Sequence, residues 1–325
     1  MVSPMRTRPA ILAPALLGLV VAGAGCGAGE RNETTSTPPP PRAADFPPAA
    51  GPELAALTRA AGARPQLRVS VSVIRPGTNR FAFALFDAEG RQLQAPAAVY
   101  LGSPAGTDVR GPFVARLESL AVQPRFLSRT AAQDPGDPSS IYVADLPVPR
   151  RGRFVALAVT RVGGRLVSST AAPVASGGPQ PLAVGAQAPR IHTPTVAGVS
   201  GDVQSIETRV PPDDMHRTDF AAVVGRKPVV VAFATPQLCQ NRLCAPVVDA
   251  VAQVQAEFGD RAEFIHMEVY RDNDIRKGVR PQLSAFGLRT EPWVYAIDRR
   301  GRVAARLEGA ASVDELRQAV RRALG

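Results

Sequence analysis

The chain has 325 residues, of which 45% are hydrophobic and 20% are charged. This composition excludes a wholly disordered chain and a multispan membrane protein, and the length predicts about two domains. Lys and Arg outnumber Asp and Glu by 38 to 28, but the basic residues are scattered without interleaved aromatic residues, so no nucleic-acid partner is predicted. Three cysteines are too few for a disulfide scaffold, and each needs its own explanation.

Residues 1–25 have the pattern of a secretory signal peptide. Two arginines precede an uncharged apolar stretch at 10–24, which is shorter than the ~20 residues of a membrane span. Small residues then lead to Cys26. This arrangement resembles the bacterial lipobox, although Gly23 stands where a lipobox usually has Leu. The resemblance implies that Cys26 is lipidated and anchors the protein to the extracytoplasmic face of the cell membrane; an ordinary signal peptide is the alternative.

Residues 26–64 are rich in proline and threonine, with an unbroken run at Pro38–Pro41. Such a segment buries little surface and favours extended polyproline conformations. We therefore predict a disordered linker over 26–64, with a short helix at Glu53–Ala61 as an option.

Residues 65–178 have a strand-like pattern. Leu67–Val73 alternates apolar and polar residues, Arg80–Phe86 does so less cleanly, and turn residues such as Pro76–Asn79 separate the segments. Strands at this spacing predict a β-sandwich. The region resembles immunoglobulin-like bacterial modules, and it carries no catalytic constellation.

Residues 184–325 change to an α/β pattern. Lys227–Ala234 is a continuous apolar run, which is typical of a strand buried on both faces. Residues 246–258 have helical spacing, and Ser312 with Glu315 three positions later is a capping box before a final helix. Further strands are predicted at 263–270, 293–297 and 303–307, with a short helix near 282–286. We predict an α/β core with a mixed sheet.

Three segments of this region resemble the thioredoxin superfamily, in its redoxin and peroxiredoxin-like branch. KPVVVAFATPQLCQNRLCAPVVDAVAQV is similar to the strand, cysteine loop and helix that carry the nucleophile. FGLRTEPWVYAIDRRGRVAARLEG resembles the later segment in which a cis-proline precedes a hairpin, and VGAQAPRIHTPT looks like the strand that opens the fold. The resemblance implies a thioredoxin-like fold over residues 184–325.

The resemblance also implies an activity, thiol–disulfide exchange. In it, Cys239 attacks and Cys244 resolves, the two can form a disulfide, and Pro292 is the cis-proline that shapes the groove for a substrate peptide. The partners would be protein thiols or disulfides, and no cofactor is required. The direction of electron flow stays open.

Elementary chemistry supports a reactive pair. Cys239 is predicted just before a helix, where free backbone N–H groups and nearby Arg242 favour a thiolate. Residues i and i+5 of an ideal helix have Cα atoms about 8.7 Å apart, whereas a disulfide needs less than about 7 Å. If the pair is bonded, Cys239 therefore lies outside the regular helix that holds Cys244.

Departures from the family pattern keep other functions open. Four residues separate the cysteines instead of the common two, Leu238 replaces the usual tryptophan, and Ala232 stands where thioredoxins usually carry a buried acid. A slower oxidase, an isomerase-like role and a non-catalytic interaction module with a structural disulfide all remain candidates.

A copper-delivery module is a further alternative, since two thiolates with a histidine suit Cu(I). No histidine lies at a diagnostic spacing from Cys239. His266 is on a predicted core strand, whereas His192 and His216 are in loops, with Asp213 as a loop or capping residue near His216. We predict no metal site.

Overall fold

The computed structural model describes residues 40–49, 53–57, 64–131, 138–178, 180–239 and 242–325. The predicted signal peptide and Cys26 lie outside these residues, so both stay predictions. Among the described residues, no helix combines the length and apolarity needed to cross a membrane.

Nine antiparallel strands make up the first half of the described chain. Their order is β1-β2-β6-β5-β4-β7-β8, with β3 beside β2 and β9 beside β7. The antiparallel all-β character agrees with the sequence pattern. Because pairing links all nine strands into one sheet, it does not separate the two sheets of a sandwich, and the immunoglobulin-like arrangement stays a prediction. The strands are β1 Gln66–Val69, β2 Gly77–Phe86, β3 Gln92–Leu93, β4 Ala97–Gly102, β5 Arg110–Ser119, β6 Ser140–Val148, β7 Gly152–Val162, β8 Arg165–Ser168 and β9 Ala172–Ser176.

Strand β2 is buried on both faces. Phe81, Phe83 and Leu85 point into the main core of the sheet, where Phe83 stacks on a tyrosine of β6. Ala82 and Ala84 point the other way, into a second cluster that contains residues from the C-terminal half. This double burial explains why Arg80–Phe86 alternates less cleanly than an ordinary half-exposed strand.

Part of the predicted linker packs on this sheet. Phe46 and Leu54 are buried against β4 and β7, and the Tyr100 hydroxyl donates a hydrogen bond to the Pro47 carbonyl at 2.6 Å. A four-residue helix, α1 Leu54–Leu57, falls within the segment where a short helix was an option. The two apolar anchors account for this packing, which the proline content of the segment does not predict.

The second half is a four-stranded mixed sheet with helices on both faces. The strand order is β11-β10-β12-β13, with β10 and β11 parallel and the other pairs antiparallel. Helices α3 and α5 cover one face, and α2 and α4 cover the other. The elements are α2 Phe220–Val223, β10 Val229–Phe233, α3 Cys244–Phe258, β11 Glu263–Met267, α4 Pro281–Phe286, β12 Trp293–Ile297, β13 Val303–Glu308 and α5 Val313–Leu324.

Most predicted elements of this half are present within a few residues. The capping box is confirmed, since the Ser312 hydroxyl accepts from the Glu315 amide at 3.1 Å. The opening strand predicted in VGAQAPRIHTPT is wrong, because only an isolated bridge between Gln187 and Arg302 forms there. Pro189 and Pro194 have no N–H to give to a strand ladder.

Partly buried polar contacts join the two halves, and residues 40–325 form one compact unit. The Arg80 guanidinium of β2 donates to both carboxylate oxygens of Glu315, at 2.7 and 2.8 Å. It also donates to the backbone carbonyls of Glu308 and Ala310. Leu243, directly before α3, belongs to the apolar cluster on the outer face of β2 and β6. The β-sheet therefore fixes the position of the cysteine loop.

Candidate functional site

Cys239 and Cys244 form a disulfide with Cα atoms 5.9 Å apart. This separation is well below the value for two residues five apart in one helix. Helix α3 begins at Cys244, and Cys239 lies in the loop after β10, as the distance argument requires. Arg242 between them has a φ of 58°, in the left-handed region, which turns the chain so that the two sulfurs meet.

Cys239 lies in the loop before the helix, as predicted, but Cys244 and not Cys239 occupies the N-terminus of α3. The positive end of α3 therefore favours a thiolate on Cys244. The two sulfurs also differ in access: Cys244 is fully buried, whereas Cys239 is half-buried. Cys239 is therefore the sulfur that is more accessible from solvent.

A cleft of about 800 Å³ opens at Cys239. The cysteine loop and the start of α3 form one wall, with Pro236 and Arg242. The first half of the chain forms the other wall, with Leu120 and Arg129. The described lining residues include two arginines and no carboxylate. These positively charged surroundings favour a thiolate on Cys239.

Pro292 follows Glu291, whose carboxylate lies 3.4 Å from Cys244 Sγ. The Glu291–Pro292 peptide is cis, as the resemblance implies. Pro292 is buried, and the described residues that line the cleft do not include it. Its predicted role in a substrate groove stays a prediction.

The carboxylate of Glu291 contacts the disulfide, and no sequence pattern pointed to this residue. Its Oε2 lies 3.4 Å from Cys244 Sγ and accepts from the Thr235 amide at 2.8 Å. Burial, aided by the negative charge of Glu268, raises the pKa of Glu291 to about 7, although the Thr235 amide and Tyr270 hydroxyl oppose the shift. A carboxyl with this pKa both donates and accepts a proton near neutral pH.

Glu291 reaches Cys244 from the loop before β12. A second carboxylate, Glu268, is buried close by and accepts from the amide and hydroxyl of Thr208. Burial also raises the pKa of Glu268, so both carboxyls on this side of the disulfide have a pKa above the ordinary value.

Two groups of described residues bring potential metal ligands within 4.8 Å of one another. One contains Cys239, Cys244 and Glu291, without a histidine. The copper alternative, which uses a histidine with the two thiolates, therefore finds no such trio among the described residues. The second group, which we call the carboxylate–imidazole cluster, consists of Glu207, Asp213, His216 and His266.

Comparison with known proteins gives little further guidance. No family model and no curated protein matches the chain. Among solved structures, the chain is similar to a thiol:disulfide interchange protein of the thioredoxin family from Chlorobium tepidum TLS. The two are 19% identical, the match covers 46% of this chain and 100% of that chain, and the TM-score is 0.31. At that TM-score the similarity supports no conclusion on its own, and the site has to be judged by its geometry.

Proposed function

We propose that the chain is a thiol–disulfide oxidoreductase with a thioredoxin-like domain, in which Cys239 exchanges with substrate and Cys244 resolves. The observation that carries this proposal is the asymmetry of the disulfide, with Cys239 on an open cleft and Cys244 buried at a helix N-terminus beside Glu291. A purely structural disulfide needs neither the cleft nor the acid.

The chemistry follows from that asymmetry. A substrate thiolate attacks Cys239 Sγ, the protein disulfide breaks, and Cys244 leaves as a thiolate that takes the proton of Glu291. A second substrate thiol then attacks the mixed disulfide and releases Cys239. Two substrate thiols become one substrate disulfide, and the protein disulfide becomes two thiols; the reverse sequence reduces a substrate. The substrate class is a protein thiol or disulfide, since the 800 Å³ cleft is open to solvent.

The location of the protein in the cell is part of the same proposal. Cys26, after small residues at the end of an apolar signal, supports a lipid anchor and an extracytoplasmic location. Non-reducing conditions there suit a protein whose cysteines are bonded.

The reduction potential separates this function from a structural disulfide. To measure the potential, the full chain is equilibrated with glutathione buffers, and free thiols are counted by alkylation and mass spectrometry. We expect one two-electron couple between roughly −270 and −120 mV, the range of exchange enzymes. A pair that stays oxidised below about −300 mV is a structural disulfide and would overturn the proposal.

Glu291→Gln tests the proton-transfer role. We expect the rate of mixed-disulfide formation to fall about 10²-fold at neutral pH, a typical loss for a general acid, and the inflection near pH 7 to disappear. Stopped-flow measurement between pH 5 and 9 gives both. Glu257→Gln on the outer face of α3 is the control and should keep the wild-type profile; an unchanged profile in Glu291→Gln would exclude the role.

The same variant gives an independent readout in stability. The pKa of Glu291 is about 7 in the folded protein against an ordinary value of 4.5. Between these two pH values the folded state therefore binds more protons than the unfolded state. The free energy of unfolding is highest below pH 4.5, where both states are protonated, and it falls as pH rises through 7 and the buried carboxyl ionises. Relative to wild type, the free energy of unfolding of Glu291→Gln should increase by up to about 3 kcal/mol between pH 4 and pH 8.

A further inference from the structure

None of the four residues of the carboxylate–imidazole cluster is among the described residues that line the cleft. The side chains of Glu207 and His266 are fully buried, and those of Asp213 and His216 are 3% and 2% exposed. Three of the four residues come from the loop before α2, and His266 comes from β11. A buried group of this composition needs either protons or a cation to balance its charge.

The hydrogen bonds of His266 indicate which ring nitrogen carries a hydrogen and which one can bind a metal. Its Nε2 lies 3.0 Å from the Ala234 carbonyl oxygen, which only accepts, so Nε2 carries a hydrogen. Its Nδ1 faces Asp213 Oδ2 at 2.9 Å and Glu207 Oε2 at 3.3 Å. A histidine that binds a metal through one nitrogen and donates the other N–H to a backbone carbonyl has this arrangement.

The two carboxylates are oriented in the same way. Glu207 Oε1 accepts from the Arg209 amide at 2.7 Å, and Asp213 Oδ1 accepts from the Met215 amide at 2.8 Å. Each carboxylate is thus held by one oxygen, while its other oxygen points at His266. His216 Nε2 completes the group at 3.0 Å from Glu207 Oε2.

The spacing of these atoms fits a small tetrahedral site. Ligand atoms about 2.05 Å from zinc stand about 3.3 Å apart in a tetrahedron. The three closest separations in the cluster are 2.9, 3.0 and 3.3 Å, and all four ligand atoms lie within 4.8 Å of one another. Only small side-chain movements separate this arrangement from a coordination shell.

A divalent cation would also satisfy the charge balance of the cluster. Two ionised carboxylates carry two negative charges. Without a cation, protons on the imidazoles or on the carboxyls themselves would have to balance them, and protonating both imidazoles would place two positive charges on rings whose centroids are 5.1 Å apart, where like charges repel. One divalent cation balances the carboxylates and leaves both imidazoles neutral.

We propose that the carboxylate–imidazole cluster binds one divalent transition-metal cation, with Zn²⁺ as the best match. Two imidazole nitrogens and two carboxylate oxygens are ligands that zinc accepts in tetrahedral geometry. Such a site ties the loop of residues 207–216 to β11. It shares no residue with the group formed by Cys239, Cys244 and Glu291, so the proposal does not rest on the exchange activity.

Cobalt binding to the full, oxidised chain tests the site. After removal of metals with a chelator, the protein is refolded from denaturant with Co²⁺, because the buried cluster limits entry into the folded state. We expect one equivalent of Co²⁺ with visible absorption bands of a tetrahedral centre, and displacement by Zn²⁺. The disulfide keeps both thiols from binding the metal. Absence of bound metal in the refolded wild type would overturn the proposal in favour of a protonated network.

Variants locate the metal. Asp213→Asn keeps the shape of the side chain, and His266→Gln keeps a donor for Ala234; each should weaken Co²⁺ binding about 100-fold or more. His192→Asn is the matched control, because this exposed histidine pairs with Asp219 outside the cluster. Equal binding in wild type and Asp213→Asn would place the metal elsewhere. If a variant fails to fold, the wild-type protein still tests the site, because Zn²⁺ should raise its unfolding temperature. An unchanged unfolding temperature would contradict the proposed site.

Discussion

Cys244→Ser is expected to trap a covalent complex with substrate through Cys239. In this variant Cys239 remains on the open cleft, but no second thiol is available to resolve a mixed disulfide. Cys239→Ser should form none, because Cys244 is fully buried and a visiting thiol cannot reach its sulfur. We expect catalysed exchange to fall to the background rate in both variants.

Mass spectrometry after acid quenching measures the trapped species, with a peptide that contains one disulfide as the substrate. Cys26→Ser is the control variant, since its cysteine lies outside the proposed pair, and it should exchange like wild type. Trapping through Cys244 in the Cys239→Ser protein would reverse the assigned roles. Trapping in neither variant would indicate a structural disulfide.

Local rules predicted much of the second half of the chain. The continuous apolar run predicted β10, and a single spacing, Ser312 to Glu315, predicted the start of α5. The disulfide length limit predicted that Cys239, if it is bonded to Cys244, lies outside the regular helix. In each case the decisive contact lies within a few residues of the sequence feature that signals it.

Contacts between distant segments could not be predicted in that way. Glu291 is 47 residues from Cys244, and nothing in the local sequence says that it turns toward the sulfur. A signal did exist, because a charged residue two positions before a buried strand needs a partner. The apolar outer face of β2 was a second signal: its incomplete alternation indicated that something covers it, although not that Leu243 does so.

Asp249 also makes contacts with distant segments that the local sequence does not predict. It is a carboxylate on the buried side of α3. It is 0% exposed. Its Oδ1 accepts from Arg209 Nε at 2.8 Å, and its Oδ2 accepts from the Ser128 amide and hydroxyl at 2.8 and 3.0 Å. Arg209 in turn donates to the carbonyls of Phe126 and Pro211. One carboxylate therefore joins α3, the loop before α2 and the segment that leads to Arg129 in the cleft wall.

Asp249→Ala should cost about 3–5 kcal/mol of the free energy of unfolding, because it leaves the Arg209 guanidinium buried without its counter-charge. Urea unfolding at pH 7 measures the loss. Asp249→Asn keeps an oxygen that accepts hydrogen bonds and should lose less. Glu257→Ala is the matched control on the same helix, since its ion pair with Arg317 is partly exposed and should be worth at most about 1 kcal/mol. Equal losses in Asp249→Ala and Glu257→Ala would show that the buried pair does not hold the cleft wall against α3.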